Sequence, residues 1–164
     1  MTDQIANFFV EHLGGKLTGE VIAFIVSLLP ISELRGGMIV AKIMEVPFLR
    51  AFIICFIGNM LPVPFILLFI RRIFTLLKRN EKIERFVNKI EKRGFEKGEK
   101  VKKYSLFGLF LLVAIPLPGT GAWTGALVAA LLDIRMKHSL PIISLGVLAA
   151  GGIMSALTYG LFGL

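Results

Sequence analysis

Pro30-Ile-Ser-Glu-Leu-Arg-Gly-Gly37 and Pro116-Leu-Pro-Gly-Thr-Gly-Ala-Trp-Thr-Gly125 decide how this chain folds, because each interrupts an apolar run too short to cross a bilayer. Residues 21–29 and 38–44 flank the first break, and 106–115 and 123–132 flank the second. A hydrocarbon core of roughly 30 Å takes about 20 apolar residues to cross, so arms half that long read as re-entrant or interfacial. Proline lacks the backbone donor and clashes with the preceding turn, so no helix runs smoothly through Pro116-Leu-Pro118. Backbone freed at membrane depth must face protein or a watery cavity, not lipid.

A full-length apolar stretch follows each break, at residues 49–70 and 140–162. Of 164 residues, 55% are hydrophobic and 18% charged, against roughly 45–50% and about 25% in soluble domains. The expectation is a single all-α integral membrane domain in the cell (inner) membrane. Each unit is a broken hairpin, 21–44 or 106–132, followed by a span. Asp3 and Glu11, with no Lys or Arg before Lys16, argue against a signal peptide. Ile5, Phe8, Phe9 and Leu13 instead fall on one face of an amphipathic helix over residues 1–16. Cys55, the one cysteine, has no partner for an intramolecular disulfide and reads as a small buried hydrophobe.

The net charge of +8 is local: residues 71–103 hold 13 Lys/Arg and 5 Asp/Glu, and the rest of the chain holds 6 of each. A Lys/Arg-rich connection between membrane segments marks the cytoplasmic side, which explains the basicity without nucleic acid. If both broken segments re-enter, Lys/Arg in the connections divide 15 inside to 2 outside, and both termini lie outside.

The two halves also repeat. Shifted by 88 positions, residues 29–58 fall on 117–146 without a gap and with seven identities, among them Pro30/Pro118, Gly37/Gly125 and Gly58/Gly146. An acid closes the second arm in both, Glu45 and Asp133. Two short broken helices in halves of opposite orientation are a common plan for secondary transporters.

Glu33 and Arg35 stand at the first break. An ionisable residue at membrane depth costs about 2.5–3.5 kcal/mol on insertion scales, so it faces a partner, water or substrate. Glu33 suits a proton or cation, and the fork of Arg35 suits a phosphate or carboxylate; the pair could equally close the hairpin as a structural ion pair. At the second break Thr120 and Thr124 offer hydroxyls, and the amides opening the helix at Trp123 present a positive dipole end to an anion. Gly121 and Gly125 also fit close helix packing. Asn59, ahead of Pro62 and Pro64, reads as a cap for carbonyls that those prolines free, with substrate contact as the alternative. Gly152, Ala156 and Gly160 make a small-residue packing face. His12 and His138 have no metal-ligating cluster around them, and no hydrolase, Walker A or dinucleotide motif occurs, so neither cofactor, metal nor enzymatic activity is expected.

Ile31-Ser-Glu-Leu-Arg-Gly-Gly37 together with residues 116–125 resembles the signature of the small multidrug export protein family, which is placed near the DedA-like (VTT) membrane proteins. The resemblance covers essentially the whole chain. It implies facing re-entrant hairpins with Glu33, Arg35, Pro118, Gly119, Thr120 and Gly121 lining the site; Trp123 and Thr124 join them by position. The expected function is a proton-coupled secondary transporter for a small amphipathic, anionic or lipid-linked substrate. A DedA-type lipid scramblase or a non-transporting scaffold is the alternative. Partners would be membrane lipid, protons and a second copy of the chain in a homodimer. Ala114-Ile115 stands where the DedA-type motif has an acid before the prolines, a departure that bears on lipid phosphate as substrate.

Overall fold

Helix α1 (Gly19–Leu28) ends because Pro30 disfavours helical backbone at the residue before it, and Leu29 is extended. The computed structural model describes residues 17–77, 81–117 and 119–160, which are helical apart from short connections and contain no strand. The amphipathic segment expected at 1–16, and Pro118, lie outside the described residues. After the turn at 29–32 come α2 (Glu33–Ile43), α3 (Phe48–Met60), α4 (Pro62–Leu77), α5 (Glu81–Ala114), α6 (Ala122–Leu131) and α7 (Met136–Ser155). A π-helical turn, Ala156–Gly160, closes the described chain.

Helices α1 and α2 run antiparallel. Gly19 lies against Met44 and Val46, while Gly37 lies against the Ser27 side chain and the Ala23 carbonyl. Helix α3 then packs on both. The second half repeats this triple: α6 and α7 pack on α5 and on one another. Gly125 lies against Val113 and Leu109 as Gly37 does against Ser27 and Ala23, and Gly146 lies against Val113 and the Phe110 carbonyl as Gly58 does against Ser27 and the Phe24 carbonyl. The second arms end alike too. Glu45 and Asp133 both take φ 57°, and Val46 and Ile134 N–H groups reach back to the Ala41 and Ala129 carbonyls. These pairs keep the offset of 88 after the turn but 86 before it, so the second half holds two extra residues between them. The ungapped register read from sequence therefore holds only from the turn onward.

Three boundaries differ from the sequence reading. Residues 33–37, expected to belong to the break, form the first turns of α2. Gly36 and Gly37 serve close packing there, and the break is confined to 29–32. The basic connection expected at 71–103 and the arm expected at 106–115 are largely one helix, the 34-residue α5. It contains no proline, and Gly94 and Gly98 cost only about 1 kcal/mol each relative to Ala, too little to end it. The span expected at 49–70 is found and runs on as α4 to Leu77, with a one-residue step between α3 and α4 at Leu61, whose backbone stays helical directly before Pro62.

Two stretches are long and apolar enough to cross a membrane, Phe48–Ile70 with 23 residues and Met136–Gly160 with 25. Only 28% of each apolar window is buried, unlike the core helix of a soluble protein. Ile53, Ile57, Phe65, Leu68, Leu145, Leu148 and Leu157 are exposed. In water so large an apolar surface would be a liability; in hydrocarbon it is solvated. The interior is built from Ile22, Val26, Met38, Val113, Ala126, Ile143 and Val147. Among the described residues, Gly152 and Gly160 have open space beside them.

Candidate functional site

The two breaks meet. Glu33, 6% exposed, points its carboxylate across to the start of α6, where its oxygens accept the Ala122 and Trp123 N–H groups at 3.2 Å each. Those amides are two of the donors that an α-helix leaves unsatisfied at its amino end, and a carboxylate there also meets the positive end of the helix dipole, worth about 0.3–1 kcal/mol or more when partly buried. The amino end of α6 is thus occupied by a carboxyl group, a side chain of the same protein.

Gly121 makes this seat possible. Its φ of 140° with ψ −165° lies in a region essentially restricted to glycine. A Cβ there would overlap the Glu33 carboxylate. Gly119, with φ 75°, supplies the other left-handed bend of the longer turn.

Arg35 holds the opposite edge of that turn. One terminal nitrogen donates to the Leu117 carbonyl at 2.8 Å, and the other to the Thr120 carbonyl at 3.1 Å and its hydroxyl at 3.2 Å. The Thr120 hydroxyl also accepts the Leu117 N–H and lies 2.8 Å from the Ile115 carbonyl and 2.7 Å from that of Leu117. A flat guanidinium fork fits divergent carbonyls that the prolines have removed from helical pairing. No Glu33–Arg35 ion pair forms; each charge engages the other half of the molecule. Chemically, the joint brings together a guanidinium and helix-end amides, which are anion-binding groups, and a carboxyl, which is a proton-binding one.

Behind the carboxylate lies a cavity of about 10 Å³ lined by Glu33, Leu34, Arg35, Asn59, Val113, Gly121, Ala122, Val147 and Ala150. That is about the room one water needs, so no solute fits while the breaks are joined. Thr124 is not brought to it: its hydroxyl donates to the Gly119 carbonyl at 3.2 Å. Trp123 packs against the core with its indole N–H unpaired. Asn59 was read from sequence as a cap for carbonyls near Pro62, yet it sits in the Glu33 cavity with its side-chain oxygen unpaired. The signal was present in the chain, as the only amide side chain in an apolar span.

At the far end of α2, the Tyr159 hydroxyl donates to the Val46 carbonyl at 3.2 Å and Lys42 lies 5.2 Å from its ring centroid. The π-helical turn thus fastens the hairpin at its base. Among known proteins, a family model described as "Putative small multi-drug export protein" matches residues 33–153, a stretch that begins at Glu33 directly after the first break and contains the second break, the first span and most of the second. No curated protein and no solved structure matches the chain.

Proposed function

The chain belongs to the small multi-drug export family, and on that premise we propose that it is a secondary membrane transporter whose gate is the joint between its two breaks. The observation that carries this reading is the double crossing at the joint: Glu33 on the α6 amides and Arg35 on the Leu117 and Thr120 carbonyls. In our reading the halves are repeats inverted in the membrane, and each break is the tip of a re-entrant hairpin. The matched glycine contacts and helix ends described above support this. A substrate with an anionic group takes the place of the Glu33 carboxylate on α6 and engages Arg35. Protonation of Glu33 weakens its hold on the amides, so proton uptake favours opening and substrate entry. Through the family, the reading extends to a relationship with the DedA-like proteins, and with it to lipid-linked anions as one form of the substrate. Homodimers in the cell membrane complete the proposal.

One observation favours the alternative of a non-transporting scaffold. Both charges are hydrogen-bonded within the protein and the cavity admits only a water. Proteoliposomes separate the two. Carboxyfluorescein serves as a soluble anionic probe and a headgroup-labelled anionic lipid as a lipid probe, each driven by a pH gradient. A transporter moves at least one probe, and Glu33→Gln reduces that flux to the liposome background. Loss of thermal stability without any wild-type flux would establish the scaffold.

A further inference from the structure

Asn59 lies in α3, two residues before the step at Leu61, and is 2% exposed. Its side-chain oxygen receives no hydrogen bond among the described residues. Buried polar atoms are nearly always paired, and an orphan calls for an explanation such as a water or a functional role. Asn59 faces the same water-sized cavity as Glu33. The remaining lining from α5, α6 and α7 (Val113, Gly121, Ala122, Val147 and Ala150) offers no titratable or charged group, and Arg35 is the one other ionisable residue. The donors of Arg35 go to Leu117 and Thr120. The polar groups left around the cavity are the Glu33 carboxylate and the Asn59 amide, whose oxygen is the buried atom without a partner and whose NH2 is a donor. An ionised carboxylate has no proton to donate, whereas a protonated one gains an O–H.

From this we infer that Asn59 is the positioning residue for the proton on Glu33: its amide oxygen accepts the hydrogen bond of the protonated carboxyl, directly or through the single water that the cavity admits. Ionised, Glu33 is held by the α6 amides and has no proton to offer the Asn59 oxygen. Protonated, its O–H finds an acceptor on α3, and its hold on α6 weakens. Asn59 thereby gives the carboxyl a second partner and ties the step in the first span to the state of the gate. The inference rests on the proposed role of Glu33 as proton carrier, and the following test separates the two.

The full-length protein in liposomes is titrated with pH by infrared difference spectroscopy, which reads the C=O stretch of a buried protonated carboxyl without any substrate. The band absent from Glu33→Gln belongs to Glu33. In Asn59→Leu, which removes the oxygen at nearly constant volume, that band moves to higher wavenumber. Its midpoint falls by about one pH unit, a tenfold weaker hold on the proton. Asn59→Gln retains an amide and moves both readouts less, which keeps the test available if the leucine variant does not fold. A Glu33 band that stays in place in the Asn59 variants overturns the inference while leaving the carrier role intact. If Glu33→Gln removes no pH-dependent band, the carrier role fails and the inference fails with it.

Discussion

The two breaks occupy equivalent positions in their halves and carry opposite chemistry. Under the shift of 88, Glu33 falls on Gly121, Arg35 on Trp123, Ser32 on Thr120 and Pro30 on Pro118. The first break supplies charged side chains and keeps its turn short. The second supplies bare backbone, amides at one edge and carbonyls at the other, on a longer turn, 115–121 against 29–32. The difference teaches that matching halves need not contribute like groups where they meet. Two carboxylates at one joint would repel, whereas a carboxylate facing a glycine finds both room and donors. The residue equivalent to Glu33 is the one whose missing side chain makes space for Glu33.

The largest effect should come from restoring a side chain at that position. Gly121→Ala forces a Cβ into the carboxylate and an L-residue into a glycine-only conformation, and should lower stability by about 3 kcal/mol or more. Denaturation in detergent measures it, and a wild-type melting temperature would mean that the two breaks do not meet as described. Glu33→Gln comes next. Both carboxylate oxygens accept an N–H, so glutamine satisfies one and sets its NH2 against the other, a loss of about 1–3 kcal/mol. Because this loss is expected even in a transporter, flux must be compared per folded molecule. Full flux at reduced stability would make the joint purely structural.

Arg35→Lys keeps the charge and loses the fork. A single ammonium cannot span the Leu117 and Thr120 carbonyls, so we expect a loss of about 1 kcal/mol. Anion flux should fall further than stability does, and equal losses in both would argue against an anion site at Arg35. The last test is read as labelling, not as stability, and asks only where the breaks lie. In a Cys55→Ser background, cysteines at Ile31 and Leu117, both exposed on the protein surface, should resist a membrane-impermeant maleimide added from either side. One at Asn88 should react from the cytoplasmic side alone, and reporters at both termini should read as external. Labelling of Ile31 and Leu117 from opposite faces would show that the short helices cross the membrane instead of re-entering.

The contrast also explains what could be read early. Proline and glycine act through the local backbone, so interruptions at Pro30 and at 116–121 were legible from residue identity, though the first was expected to run on to Gly37; the two candidate spans and the prominence of Glu33 and Arg35 were legible too. The continuity of α5 was not foreseen, because Gly94 and Gly98 weaken a helix without ending it, and packing of its apolar end onto α6 and α7 decides the matter. Asn59 was visible as a polar residue in an apolar span, but its neighbours in space come from α2, α5, α6 and α7, and no spacing along α3 encodes them.

The sequence by itself determined an all-helical chain with two candidate membrane spans, a basic stretch and two interruptions, because hydropathy, charge and the backbone limits of proline act within a few residues. Only the tertiary structure decided what the interruptions do to one another. A carboxylate, a guanidinium and a row of freed backbone groups could each have bound water, lipid or a neighbour on its own helix. Which of these wins depends on distances between residues more than 80 positions apart, and those distances are set by glycine-mediated packing of α1 on α2 and of α5 on α6, which brings the charged turn within 3.2 Å of the bare one.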